Sequence, residues 1–404
     1  MKRTILASTF GILATTSFAQ SSVTLYGAID NGIGYLSNSA SKGAQSGGKS
    51  QVSAINGVWL GSRFGLKGAE DLGGGTKAIF TIESGFNSNN GAMSWANSSS
   101  ALLFGRQAFV GLASDTYGTL TAGRQYASYY QMLSPYSPTN WLTGYYGAHP
   151  GDIDGLDTIY RINNALIYTS PTMAGVTVSG TYALGGVPGR LGAGQTWSLA
   201  AKYGLGPVGM AVGFERLSNA AIGGGPWDSN STANSLGEPG NSSLTYGFQT
   251  AATQQRFAVT AGYAFNSQWD ISASYSNVQY VAGTNSSFHD TQIWNTGGMT
   301  LHYKPFATLD LAAGYAYTRA TRANGVTSAA WYSQFNLGQY VSLSKRTGIY
   351  VLEGYQRAGG QTINIVNGVP AIVAATANLG DGQNGTPASG RTQVGIGAGV
   401  VHRF

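Results

Sequence analysis

The sequence predicts an all-β chain that folds as a sixteen-stranded antiparallel transmembrane β-barrel. Three observations support this prediction. Apolar residues alternate with small or polar residues along many segments, short turns alternate with long loops between those segments, and only 9% of the residues are charged. Ordinary soluble domains carry about 25% charged residues, so this chain has too few of them to cover a surface that faces water on all sides.

The C-terminal segment 394–404 shows the alternation most clearly. A period of two is typical of a β-strand, because successive side chains point to opposite faces of the sheet. If one face meets lipid, an open sheet edge would leave backbone groups without hydrogen bonds, so the sheet must close on itself. The apolar set of this segment is Val394, Ile396, Ala398, Val400, His402 and Phe404.

The N-terminal residues 1–19 have the features of a secretory signal peptide. Two basic residues precede an apolar run at 5–14, and a small-x-small motif ends at Ala19. The run is shorter than the roughly 18 residues that a spanning helix needs. We therefore expect a mature chain of residues 20–404 that forms a single barrel domain.

Composition limits the classes of partner and cofactor. The chain contains no cysteine, so its stability does not depend on disulfides. Lysine and arginine are scattered singly, which does not favour a nucleic-acid partner despite the positive net charge. The sequence predicts no cofactor.

Seven short connectors alternate with eight long ones, which gives sixteen strands with turns at one end of the barrel and loops at the other. Segment 244–249 is also compatible with an extension of the strand that follows it. The short connectors are 70–75, 114–118, 171–175, 205–207, 266–268, 305–308 and 344–347, and the long ones are 38–52, 87–101, 127–157, 186–194, 218–254, 281–291, 321–330 and 359–389.

A soluble β-sandwich or β-propeller is the main alternative fold. Such folds bury their apolar face in a packed core and need a charged exterior. The second face of the predicted strands carries mainly Gly, Ser, Thr, Ala and Asn. These residues suit a water-filled lumen and would fill a core poorly, so the barrel is the preferred interpretation.

Several segments resemble the trimeric general porins of the Gram-negative outer membrane, and the resemblance extends over the whole mature chain. The terminal Phe404 resembles the recognition signal that the outer-membrane assembly machinery reads. The segments that carry the resemblance are 22–27 (SVTLYG), 62–68 (SRFGLKG) with 70–73 (EDLG), 105–112 (GRQAFVGL), 123–125 (GRQ), 160–164 (YRINN) and 343–347 (LSKRT).

The resemblance implies passive diffusion of small hydrophilic solutes and ions through a homotrimer in the outer membrane. It also implies short periplasmic turns, long extracellular loops and a third loop, 127–157, folded into the lumen as a constriction. Loop 87–101 would contact a neighbouring subunit, and lipid and lipopolysaccharide would surround the barrel. Two departures stand out: the third loop lacks a Pro-Glu-Phe-Gly-Gly stretch, and Ala28 stands where some relatives carry a basic residue.

Four arginines on predicted strands are candidates for the pore wall. Phe64 and Phe109 lie at odd offsets from Arg63 and Arg106, so these arginines point to the opposite, inner face. An arginine that faced lipid at midplane would cost about 2–4 kcal/mol, which supports the same placement. The resemblance makes Arg63, Arg106 and Arg161 the basic cluster of the wall, whereas Arg124 could also lie at the rim.

Acidic residues are the expected counterpart of these arginines. Asp152, Asp154 and Asp157 lie in the candidate constriction loop, and Glu83 faces inward by strand parity. Opposed to the arginines, they would create a transverse field across the narrowest section. The Asp-x-Asp pattern is also compatible with a solvated loop or a weak calcium site. The surplus of basic residues predicts a mild preference for anions.

Two other functions are alternatives to a general channel. A barrel enzyme needs a nucleophile with a base, but the chain has no Gly-x-Ser-x-Gly or His-Glu-x-x-His motif, so we predict no enzymatic activity. A substrate-specific channel for sugars needs aromatic residues along the lumen. Candidates for such a track are Tyr26, Trp59, Tyr332 and Tyr340, although a position in the aromatic girdle is the commoner role.

Overall fold

The computed structural model describes residues 22–93, 102–137, 143–156, 161–227, 232, 242–381 and 387–404. The predicted signal peptide lies outside these residues. The strands are β1 Ser22–Ser39, β2 Lys49–Asn56, β3 Arg63–Gly73, β4 Thr76–Gly85, β5 Gln107–Ser114, β6 Gly118–Tyr126, β7 Arg161–Thr169, β8 Val176–Ala183, β9 Thr196–Leu205, β10 Val208–Ser218, β11 Thr253–Ala264, β12 Trp269–Val281, β13 Gln292–Phe306, β14 Leu309–Ala320, β15 Trp331–Ser342, β16 Thr347–Gly359, β17 Gln361–Val366, β18 Val369–Ala374 and β19 Thr392–Arg403.

The sheet closes because the first strand pairs with the last one. β1 and β19 run antiparallel from Ala28 opposite Arg403 to Leu36 opposite Gly395. At the chain end, the backbone N–H groups of Gly27 and Phe404 each donate to the other residue's carbonyl oxygen at 3.1 Å. Every strand of the main sheet apart from β2 therefore pairs with at least two others, as a membrane-spanning sheet requires, whereas β2 pairs with β1.

The predicted number of sixteen barrel strands is confirmed, although one of them is interrupted. The first part of β1 pairs with β3 and its second part pairs with β2. β2 and β3 thus form one barrel strand with a break at 57–62. Asp30 stabilises this break, because its Oδ2 accepts hydrogen bonds from the backbone N–H groups of Trp59 and Leu60 at 2.8 and 2.7 Å.

The predicted connectors alternate as expected, with local differences. β1 extends to Ser39 and β2 begins at Lys49, so the loop predicted at 38–52 is shorter. The loop predicted at 359–389 contains the hairpin β17–β18. Segment 244–249 does not extend a strand, since Tyr246–Phe248 form a 3-10 turn. We call the two ends of the barrel the loop end and the turn end.

The outer face of the barrel is apolar and the inner face is largely polar. On β19, Val394, Ile396 and Val400 are 37%, 43% and 48% exposed, whereas Gln393 and Val401, of the opposite parity, are fully buried. This is the parity that the terminal segment predicts. No helix in the described ranges has the length and apolar character needed to cross a membrane.

The third long loop lies inside the barrel, as the resemblance implies. It begins with the helix α1, Ser128–Leu133, whose first N–H donates to Thr181 Oγ1 on β8 at 2.8 Å. Further along, Thr260 Oγ1 on β11 donates to the Leu133 carbonyl at 3.0 Å. Gln334 Nε2 on β15 donates to the carbonyl oxygens of Tyr146 and Ala148 at 2.9 and 2.7 Å. The loop therefore follows the inner wall from β8 to β15.

Candidate functional site

Arginine side chains meet inside the barrel where the loop approaches the wall of β3 to β7. Arg106 Nε lies 2.6 Å from Glu83 Oε1, and Arg106 Nη2 donates to Tyr126 Oη at 2.9 Å. Arg161 Nη2 donates to the same phenol oxygen at 2.6 Å. Arg63 Nε donates to the carbonyl oxygen of Gly61 at 2.8 Å. We call Arg63, Glu83, Arg106, Tyr126 and Arg161 the arginine cluster.

Neighbouring barrel strands bring these residues to one height. Arg63 begins β3, Glu83 lies in β4 opposite Gln107, and Arg106 directly precedes β5. Tyr126 ends β6 and pairs across the sheet with Arg161 at the start of β7. Because antiparallel partners share a level along the barrel axis, side chains distant in sequence become neighbours.

Arg63 stands beside the Arg106–Glu83 pair. A Cβ atom on Gly61, whose carbonyl accepts from Arg63, would lie 3.3 Å from Arg106 Nη1. Phe64, the next residue after Arg63, is 39% exposed on the outer face. Arg63 therefore points inward, as its sequence parity predicts.

Aromatic rings complete the arginine cluster. The Arg161 guanidinium carbon lies 4.6 Å from the centroid of the Tyr126 ring, which itself stacks on Tyr130 at 4.8 Å. Tyr26 Oη donates to Glu83 Oε2 at 3.0 Å, and Lys67 Nζ lies 5.5 Å from the Tyr26 ring centroid. The basic side chains thus continue from the cluster toward the turn end.

Arg124 lies near the arginine cluster and binds different partners. Its Nε donates to the Gly105 carbonyl at 2.9 Å, and its Nη1 donates to Asn163 Oδ1 at 2.5 Å. The register shifts between Gly123 and Gln125, which places Arg124 against neighbouring backbone. Arg124 therefore links the segment that precedes β5 to strand β7. Its hydrogen bonds are not to members of the arginine cluster.

Of the acidic residues expected to line the pore from the third loop, Asp154 faces the barrel wall instead. Asp154 is fully buried, and its Oδ2 lies 2.6 Å from both His149 Nδ1 and Ser276 Oγ. Asp152 is 1% exposed. Asp157 lies outside the described residues. The loop runs so close to β12 that a carboxylate there needs buried partners, and the histidine and serine supply them.

We call His149, Asp154, Ser274 and Ser276 the loop latch. Ser274 Oγ lies 3.0 Å from His149 Nε2, so the imidazole is held between the wall and Asp154. Burial raises the pKa of Asp154. The electrostatic interaction with His149 and the hydrogen bonds from His149 and Ser276 lower the pKa by more than burial raises it. The net pKa of this carboxyl lies below its ordinary value, so the carboxylate form is favoured.

Sequence reasoning missed two further groups of charges on the inner wall. Glu215 on β10 and Arg256 on β11 are fully buried and form an ion pair at 3.2 Å. Near the turn end, Asp270 and Asp310 lie 2.8 and 3.2 Å from the two ring nitrogens of His302. Strand parity places all five residues inward, so the alternation of apolar and polar residues in the sequence is sufficient to predict their inward position.

Three of the four aromatic residues proposed as a sugar track do not form an open surface. Trp59 stacks on Tyr340 and Tyr350 at 4.7 and 5.7 Å, and these two tyrosines are 7% and 2% exposed. Tyr332 is fully buried in an apolar cluster with Trp294. These rings pack loops against the wall, so the described residues do not favour a substrate-specific channel. Within the same residues, no group of three or more His, Asp or Glu side chains is placed to hold a metal ion.

Comparison with known proteins identifies the family. A family model described as Gram-negative porin matches residues 4–361. An outer membrane porin protein of Bordetella pertussis is 32% identical over 66% of this chain and 72% of its own length. The major outer membrane protein P.IB of Neisseria gonorrhoeae is 25% identical over 92% of this chain and 99% of its own.

Solved structures show the same fold. An anion-selective porin from Comamonas acidovorans superposes with a TM-score of 0.67, covering 95% of this chain and all of that chain at 22% identity. The family and the closed barrel are those of an outer-membrane channel for passive diffusion and not of an enzyme. This chain therefore belongs to the Gram-negative porin family.

Proposed function

We propose that this porin favours small hydrophilic anions and that Arg63, Arg106 and Arg161 set the preference. The observation that carries the proposal is the composition of the arginine cluster. Three guanidinium groups meet there, and Glu83 is the carboxylate that bonds to one of them. Asp154, which was expected to oppose these arginines across the lumen, is paired inside the loop latch. We therefore expect a weaker transverse field than opposed rows of arginines and aspartates would produce.

The physical basis is electrostatic focusing. In a narrow aqueous channel with low-dielectric walls, a few fixed charges raise the local concentration of ions of the opposite sign. Arginine keeps its charge at all physiological pH values and presents several donors to an anion. The similar porin from Comamonas acidovorans is named anion-selective, which supports the same preference in this chain.

Planar-bilayer recordings test the proposal. Wild-type protein in a salt gradient should give a reversal potential of anionic sign, and Arg161→Gln and Arg63→Gln should each move it toward zero. Lys345→Gln, which removes one positive charge from a turn outside the cluster, is the matched control and should leave the reversal potential unchanged. A cation-selective sign for the wild type refutes the proposal.

We also propose that the channel is a homotrimer in contact with outer-membrane lipid and lipopolysaccharide. Native gel mobility before and after boiling tests the trimer, since porin trimers would separate only on heating. Loop 87–101 remains a candidate for the subunit contact. Asn31 Nδ2 on β1 donates to Ser88 Oγ and Asn89 Oδ1 at 3.0 and 2.7 Å, so the beginning of this loop lies against its own barrel.

Two processing steps belong to the same proposal. Removal of residues 1–19 would leave a mature chain that begins at Gln20, which intact-mass measurement tests. The assembly machinery would read Phe404, so deletion of this residue should reduce the amount of folded protein in the outer membrane. Normal amounts of the deletion variant would argue against a role for Phe404 in assembly.

A further inference from the structure

Two arginines lie on the outer face of the barrel at the loop end. On β14, Tyr317 is 37% exposed and Arg319 is also exposed, whereas Thr318 between them is fully buried. On β16, Tyr355 is 40% exposed and Arg357 is exposed, while Ala358 is 1% exposed. The alternation places both guanidinium groups outside the lumen, just beyond the last aromatic residues of the apolar belt.

A tryptophan on the intervening strand lies between these arginines. Trp331 on β15 pairs across the sheet with Arg319, and its ring centroid lies 5.9 Å from the Arg357 guanidinium carbon. The Trp331 ring also stacks on Tyr317 at 6.5 Å with an interplanar angle of 23°. We call Tyr317, Arg319, Trp331 and Arg357 the rim patch.

The rim patch has a net positive charge. Among the residues that the structure describes, neither Arg319 nor Arg357 forms an ion pair. On the outer face of these strands, Glu353 is a carboxylate further toward the turn end, where it accepts from Gln339 Nε2 at 2.9 Å. Two unpaired guanidinium groups therefore face the layer directly beyond the hydrocarbon.

The position of the rim patch identifies the chemistry of its ligand. Tryptophan and tyrosine rings mark the level of the lipid headgroups, so an arginine just beyond them lies within that layer. Guanidinium groups bind phosphate oxygens through paired, charge-assisted hydrogen bonds. Because the loops of this porin face the cell exterior, the available phosphates are those of the outer-leaflet glycolipid.

The same combination recurs on another part of the barrel. On β10, Arg216 follows the outward-facing Phe214 near the loop end and pairs across the sheet with Trp197 on β9. Arg216, too, forms no ion pair in the described ranges. Outward arginine beside tryptophan is thus a repeated feature of the loop end, as expected if that end contacts an anionic layer.

We propose that the rim patch binds the phosphate groups of the outer-leaflet glycolipid, with Arg319 and Arg357 as the phosphate ligands. The two strands that carry them are separated by one strand, so their backbones lie roughly 10 Å apart. That spacing allows two phosphates of one headgroup to be bound at the same time. The inference deepens the proposed lipid partnership and does not depend on the proposed ion preference.

The test compares phosphorylated lipid A with the same lipid after enzymatic dephosphorylation, each titrated into the purified full-length porin in detergent and read by native mass spectrometry. The wild type should bind the phosphorylated lipid more tightly. The double variant R319Q/R357Q should lose at least about tenfold in affinity, because two charge-assisted contacts are removed. The charge-matched control K345Q/R346Q, which alters a turn at the other end of the barrel, should bind like the wild type.

Three results would overturn the inference: equal binding of the dephosphorylated lipid, unchanged binding by the double variant, or an equal loss in the control. The single variants R319Q and R357Q, each expected to lose affinity partially, decide the matter if the double variant does not fold. Reversal potentials measured on the same proteins keep the two proposals separate. They should not change in R319Q/R357Q, because both side chains lie outside the pore.

Discussion

Arg106 and Glu83 form a salt bridge inside the barrel, with 2.6 Å between Arg106 Nε and Glu83 Oε1 and side chains only 4% and 5% exposed. Both residues come from positions that strand parity places inward. The pair joins one positive and one negative charge of the arginine cluster, to which Arg63 and the fully buried Arg161 also belong.

Glu83→Gln should therefore increase the preference for anions. The amide keeps the shape of the side chain and removes its negative charge, which leaves Arg106 without its carboxylate partner. Loss of this charge-assisted bond should cost about 1–3 kcal/mol of stability. The reversal potential in a salt gradient measures the first effect. Glu70→Gln, which removes a charge at the turn end of β3, is the control, and an unchanged potential in Glu83→Gln would contradict the prediction.

Asp154→Asn should loosen the third loop inside the lumen. The substitution removes the charge that holds His149, and the wall residues Ser274 and Ser276 then bind a weaker partner. Single-channel recordings should show larger fluctuations of the open-state current. Asp115→Asn, in the short turn between β5 and β6, should record like the wild type. A variant current as steady as that of the wild type would show that other contacts hold the loop.

Acid should weaken the loop latch only at low pH. The folded-state pKa of Asp154 lies below its ordinary value of 3.8, so ionisation of this residue stabilises the fold at pH values above 3.8. That contribution is lost as the pH falls through the depressed folded-state value. We expect current fluctuations like those of Asp154→Asn to appear in the wild type only once the pH has fallen through the depressed folded-state pKa, and to be absent at about pH 5. Their appearance at about pH 5 would contradict this assignment.

Gly27→Ala should destabilise the closure of the barrel. A Cβ atom at this position would meet the Phe404 ring and lie 2.6 Å from the Arg63 carbonyl oxygen, and a backbone atom cannot move aside as a flexible side chain can. Overpacking of this kind typically costs about 1–3 kcal/mol. The temperature at which the folded band is lost on a gel measures the effect. Gly297→Ala on β13 is the matched control, because no atom lies within 4 Å of its Cβ position.

The inward position of Arg63 and Arg106 followed from local sequence. A strand repeats every two residues, so Phe64 on the outer face places Arg63 on the inner face without any knowledge of the neighbouring strands. The same parity would have indicated Glu215, Arg256 and Asp270 as inward residues. The sequence did not predict which inward charges pair, since Glu215 and Arg256 meet only when β10 and β11 take their register.

The acidic side of the pore was the less predictable part. Asp154 belongs to a loop without a repeating pattern, so its direction depends on contacts with residues far away in the chain. Ser276 is separated from it by 122 positions, and together with His149 it turns the carboxylate toward the wall. The surroundings of the aromatic residues were equally hard to predict. Parity places Tyr332 on the inner face, but residues of the loops cover its side chain.

The sequence by itself determined the closed antiparallel barrel, the faces of its strands and the alternation of turns and loops, because these follow from a two-residue period and from the hydrogen-bond demands of a backbone in lipid. Only the tertiary structure decided the path of the third loop, the sharing of Tyr126 by Arg106 and Arg161, and the burial of Asp154. These features depend on contacts between side chains that are far apart in the sequence, and a local repeat in the sequence does not specify such contacts.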